Sequence, residues 1–142
     1  VHSVFDGRAQ ALLFVQRQQL ARVITVADLD TWRDNLVTTQ RSGALGCVLG
    51  SMVARLTDDD ERLRMQATGY FAEWRRLVVT TLLRLQADGQ LRRDADLDEL
   101  ATGLVAALYG GHVRAQASRN AEHMATAIDM AIARIRFFAD HP

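Results

Sequence analysis

The sequence predicts an all-α domain of six helices, and three observations predict it. Apolar residues recur in steps of three and four over long stretches, the spacing that keeps one face of a helix buried. The only proline is Pro142, so no predicted helix is interrupted by a lost N–H. Outside the β-branched run Val23-Ile24-Thr25-Val26 nothing alternates with period two, and no sheet is expected.

The elements follow in order. The first helix is expected over about 8–26, its end blurred by the β-branched run, and the second over about 30–41, stopped by Ser42-Gly43. A short third helix is expected over about 45–56. The fourth and longest starts at Asp58-Asp59-Asp60-Glu61. Asp58 is expected to cap it and Glu61 to reach back, with the acids at the positive end of the helix dipole. Such an acidic run also suits calcium, but the alternating oxygen ligands and central glycine of a calcium loop are absent. From Leu63 to Leu85 the apolar positions form one stripe, and Gly89 suits the left-handed residue that ends the helix. Asp96-Leu97-Asp98-Glu99 repeats the capping pattern and opens the fifth helix, about 97–118. Asn120 is expected to cap the sixth, which runs to about Ala139.

At 142 residues the chain fits one domain with a core of its own. The seventeen acids balance seventeen basic residues, every one of them arginine, and the arginines are scattered rather than blocked. A protein that neutralises several phosphates needs a positive face, so this chain is not expected to bind DNA by itself. No run is long and apolar enough for a membrane helix, no export signal is visible, and a lone Cys47 excludes an intrachain disulfide. A cytoplasmic protein with no membrane contact is the expectation. Val1 in place of an initiator Met reads as a chain that is processed, truncated or only partly represented.

The last two helices carry more apolar surface than one subunit needs. In the sixth, Ala125, Ile128, Ile132 and Ile135 belong to a broad stripe, with Met130, Ala133 and Phe137 on the other side. In the fifth, Gly103, Ala106, Ala107, Gly110 and Ala117 form a run of small residues beside the apolar face. An interior glycine costs a helix about 1 kcal/mol relative to alanine, so these positions suggest close approach by a backbone or a ligand. A contact inside the chain and a contact with a second copy both remain open. The expected interface, in a symmetric homodimer formed through the last two helices, comprises Gly103, Ala106, Gly110, Ala117, Ala125, Ile128, Ile132 and Ile135.

The segment Gly46-Cys47-Val48-Leu49-Gly50-Ser51, followed by Met52-Val53-Ala54-Arg55-Leu56 and the acids from Asp58, resembles a signature of TetR-type transcriptional regulators, in the branch with LmrA/YxaF-like C-terminal domains. Phe71 and Trp74, Gln86-Ala87-Asp88-Gly89-Gln90-Leu91, Asp94-Ala95-Asp96 and Gly110-Gly111 follow in the same order as in that branch. Val48 stands where a proline is usual. Upstream, Val4-Phe5-Asp6-Gly7-Arg8 is similar to the segment that closes the family's DNA-binding head.

The resemblance implies a division of the chain. Residues 1–26 are the tail of that head plus a connecting helix, and 27–142 form an effector-binding and dimerisation domain. It further implies a repressor, with operator DNA reached only through a helix-turn-helix upstream of Val1, and a small apolar or aromatic effector that changes the spacing of two DNA-reading heads. Expected pocket residues are Trp32, Leu36, Cys47, Met52, Tyr70, Phe71, Trp74, Tyr109 and His112, aromatic, sulfur-containing, polar or apolar side chains on inward stripes. Core packing remains an equal reading of the apolar ones. A buried, satisfied histidine remains open for His112, and a small buried residue for Cys47.

No catalytic motif, metal-ligand spacing or cofactor loop is present, so no enzyme, metal or cofactor is expected. The rival reading is a helical-bundle interaction domain that dimerises without a small-molecule ligand.

Overall fold

The computed structural model describes residues 4–43 and 46–139, without the side chains of Gly46 and Cys47. The described residues form six helices and no strand: α1 (Val4–Ala21), α2 (Asp28–Ser42), α3 (Gly46–Leu56), α4 (Glu61–Ala87), α5 (Leu97–Ser118) and α6 (Glu122–Phe137). The all-α expectation holds.

The helix ends differ from the expected ones for local reasons. α1 stops at Ala21, five residues before the expected end. There the Arg84 guanidinium of α4 donates to the carbonyls of Leu20 (2.9 Å) and Val23 (3.0 Å), satisfying acceptors that a longer helix would have used. Beyond it, one carboxylate oxygen of Asp28 accepts from the backbone N–H groups of Ile24 and Thr25, at 2.9 and 3.0 Å. The β-branched run thus becomes a turn. These two N–H groups hold the Asp28 carboxyl below its ordinary range.

At the start of α4 the cap is Asp60 rather than Asp58: its side chain accepts from Arg62 N at 2.9 Å, and Asp58 instead turns the chain one step earlier by accepting from Asp60 N. α4 ends as expected, with Gly89 left-handed at φ 79° and Gln90 N donating to Leu85 O at 2.8 Å. Asp96 caps α5 through Glu99 N at 3.1 Å. Asn120 accepts from Glu122 N at 3.0 Å at the start of α6.

α5 and α6 pack along their length, α4 packs on α5, and α1 and α3 pack on α4. α2 lies against α6, and three ion pairs lace their rims: Asp30 with Arg136, Arg33 with Asp129, and Arg41 with Glu122. Three of the scattered arginines therefore have structural partners here. One core serves the whole bundle, with Leu13 and Leu20 of α1 buried in it beside Trp32, Leu36, Met52, Trp74, Leu104 and Ile128. α1 is thus part of the core.

Candidate functional site between α4 and α5

α4 and α5 each turn a helical i, i+3, i+4, i+7 row toward the other. Thr68, Phe71, Ala72 and Arg75 of α4 and Thr102, Val105, Ala106 and Tyr109 of α5, with Leu56 of α3, line an open cleft of about 250 Å³. Small residues in both rows, Ala72, Ala106 and the two threonines, leave room beside the bulkier Phe71, Tyr109 and Arg75. The Phe71 ring tilts against Tyr109, with centroids 4.7 Å apart, and lies parallel to the Trp74 indole behind it at 6.5 Å.

Behind these aromatics lies a polar centre. Gln16 of α1 is buried, and its side-chain oxygen accepts from both indoles: Trp32 Nε1–H at 2.8 Å and Trp74 Nε1–H at 3.2 Å. Three helices thus meet at one amide. Phe71, at the wall of the cleft, is joined through Trp74 to Gln16 and so to α1.

The other expected pocket residues fall in different places. Leu36 and Met52 are fully buried core. Tyr70, one position before Phe71, points the other way: its hydroxyl donates to Asp6 of α1 at 2.7 Å, and its ring meets Phe5 edge-on. Burial first, and the Asp6 carboxylate second, push its phenol up to about 12. His112 is buried, and its Nδ1 lies 2.9 Å from Gln40 Oε1 of α2, the geometry of an N–H donating to the amide oxygen. Its Nε2 faces Gly50 of α3, where an added Cβ would lie 3.6 Å away, and has no hydrogen-bond partner among the described residues. Burial lowers the imidazole pKa. The Cys47 side chain lies outside the described residues. Of the nine expected positions, the open cleft brings together Phe71 and Tyr109, with Trp74 directly behind.

Arg75, Ala72, Thr68, Thr102, Val105 and Leu56 were not anticipated. Their signal was available in the shared register of α4 and α5. An arginine and two threonines on a helix surface, however, carry no mark that separates a cleft wall from a solvated face.

The expected interface divides in two. Gly103, Ala106, Gly110 and Ala117 are exposed on α5, and an added Cβ at Gly103 or Gly110 meets nothing within 4 Å. Among the described residues nothing crowds a side chain at those two places. Gly111 differs, because its Cβ would lie 2.8 Å from the Met124 Cα of α6. The four α6 positions need correction. Ala125, Ile128, Ile132 and Ile135 are at most 3% exposed and belong to the chain's own core, because α6 turns them toward α5 and α2. The free side of α6 instead presents Met130 and Phe137, which are 71% and 53% exposed. Between this side and the α5 glycines runs a second cleft, of about 360 Å³, lined by Gly103, Ala107, Ala127, Met130, Ala131 and Arg134 among others.

The described residues thus form an all-α domain with an aromatic-walled cleft between α4 and α5 and exposed glycines on α5. The family model described as tetracyclin repressor-like, C-terminal domain matches residues 19–131, and the chain belongs to that family. No curated protein and no solved structure matches it. Membership points to a ligand-responsive transcriptional regulator rather than to an enzyme. Among the described residues no group of His, Cys, Asp and Glu could hold a metal ion, and no helix is long and apolar enough to cross a membrane.

Proposed function

We propose that the chain is the effector-binding and dimerisation part of a ligand-responsive transcriptional repressor, and that its effector is a small aromatic molecule held in the α4/α5 cleft. The observation that carries this reading is the cleft itself, a mostly apolar concavity with few polar groups in a chain of this family. The Gly46–Ser51 signature supports the LmrA/YxaF-like branch.

The arrangement suggests how binding acts at a distance. A ligand against Phe71 bears on Trp74, whose N–H shares the Gln16 oxygen with Trp32. α1 carries Gln16, and residues 1–26, as tail of the DNA-binding head and connecting helix, would pass the displacement to a helix-turn-helix that reads operator DNA. Two packings of α1 against α2 and α4, differently favoured by the ligand, suffice for coupling between the sites. A second copy, docked by a two-fold axis on Gly103 and Gly110 of α5 and the free side of α6, sets the spacing of two such heads. The protein acts in the cytoplasm.

The test is thermal denaturation with a panel of aromatic and apolar compounds. A ligand that binds only the native state raises the midpoint in a concentration-dependent way, by about 2.7 kcal/mol of stability at a hundredfold excess over Kd. Indifference to the whole panel contradicts an effector role. It would favour an interaction domain that dimerises without a ligand, a reading that the exposed α5 glycines support equally well.

A further inference from the structure

We propose that the α4/α5 cleft is selective for a compact aromatic carboxylate, with its ring against Phe71 and Tyr109 and its acid group on Arg75. This rests on the effector-domain reading above and adds the chemical class of the ligand.

Three observations carry it. First, Arg75 is the only charged residue among the described residues that line the cleft, and its carboxylate partner Asp98 is not part of that lining. Second, Arg75 is available. Its carboxylate partner is Asp98, 3.1 Å from Nη1, and the Asp98 side chain is 79% exposed. An exposed pair of this kind adds little net stability, so a ligand carboxylate accepting two parallel N–H bonds can replace it readily. Asp98 then returns to water without becoming a buried, unpaired charge. Third, the space fits. A volume of about 250 Å³ lies between the roughly 150 Å³ that encloses one benzene ring and the roughly 300 Å³ at which drug-sized pockets begin. That interval suits a fused bicycle or a substituted single ring. The Thr68 hydroxyl already donates to Arg64 O at 2.9 Å, so it offers an incoming ligand an acceptor oxygen but no spare donor.

The experiment uses the full chain and two nearly isosteric probes, 2-naphthoate and neutral 2-naphthamide, titrated by calorimetry at fixed ionic strength. The expected result is binding of the naphthoate about tenfold or more tighter than the amide. Arg75→Gln should bring the naphthoate down to the amide's affinity and leave the amide unchanged. Arg75→Lys should restore part of the preference, because it keeps the charge without the planar fork. Ala72→Trp, which fills the cleft, should weaken both probes alike. Equal affinities for the two probes, or a preference that survives Arg75→Gln, overturns the carboxylate assignment and leaves the effector reading standing. Failure of both probes to bind overturns the assignment, while stabilisation by other members of the compound panel would leave the effector reading standing.

Discussion

At Gln16 a single amide oxygen serves two buried indoles on different helices. Replacing it by leucine leaves both N–H groups without an acceptor in the core, and each orphaned donor costs about 1–3 kcal/mol. Gln16→Leu should therefore lower the unfolding free energy by about 2–5 kcal/mol in urea titrations. Both tryptophan emissions should change in the folded state, since both indoles lose the same partner. His112 gives a residue-scale prediction with a sign. Burial lowers its pKa below the ordinary 6.5, so the native state holds it neutral while the unfolded chain takes up a proton near 6.5. The unfolded state then binds more protons below that pH, and stability falls as the pH drops from 6.5 toward the lowered native value. Above 6.5 this contribution is fully present and flat. His112→Phe should remove that slope, so the stability gap between wild type and variant is constant above 6.5 and shifts in the variant's favour below it. Asp28 and Asp94 are held low by backbone N–H groups and by Arg92 respectively, and their contributions are lost only as the pH falls below 3.8, clear of this window.

At the scale of elements, the three glycines of α5 separate into two kinds. Gly111 permits α6 to approach, since a methyl group there would meet the Met124 backbone at 2.8 Å. Gly103 and Gly110 face open space. Gly111→Ala should thus destabilise the fold by about 1–3 kcal/mol through overpacking, whereas Gly103→Ala should stabilise the isolated subunit by up to about 1 kcal/mol through helix propensity. Chemical denaturation at dilute concentration checks both. Periodicity and capping residues made the helices legible in the sequence: α5 was expected over 97–118 and lies there, and Gly89 ends α4 as expected. The end of α1 was not legible, because Arg84 is remote in sequence from the carbonyls that it caps. The buried role of Ala125, Ile128, Ile132 and Ile135 was equally hidden. A helix with apolar groups all round does not say which side its own domain takes, and the fold gives these four to the core.

For the whole molecule, one bundle presents two clefts on either side of the same α5 ridge. One is walled by aromatics and Arg75; the other combines small residues with Leu100, Met130, Glu99 and Arg134. The first suits a small ligand and the second a closely packed helix. Family resemblance made the general plan legible, but only two of the nine expected pocket residues line the open cleft, because aromatic side chains on an inward stripe serve the core as readily as a pocket. The proposed dimer would place the glycine-bearing face of α5 against its symmetric equivalent, where Gly103 and Gly110, each with open space beside it, would let the backbones approach. Sedimentation equilibrium at micromolar concentration, with Gly103→Glu and Gly110→Glu beside the wild type, tests this most directly. The expected result is a wild type of twice the chain mass and folded variants of single mass, since glutamate is compatible with an exposed helix position but not with a close helix contact. A monomeric wild type, or a dimer indifferent to both substitutions, would contradict it.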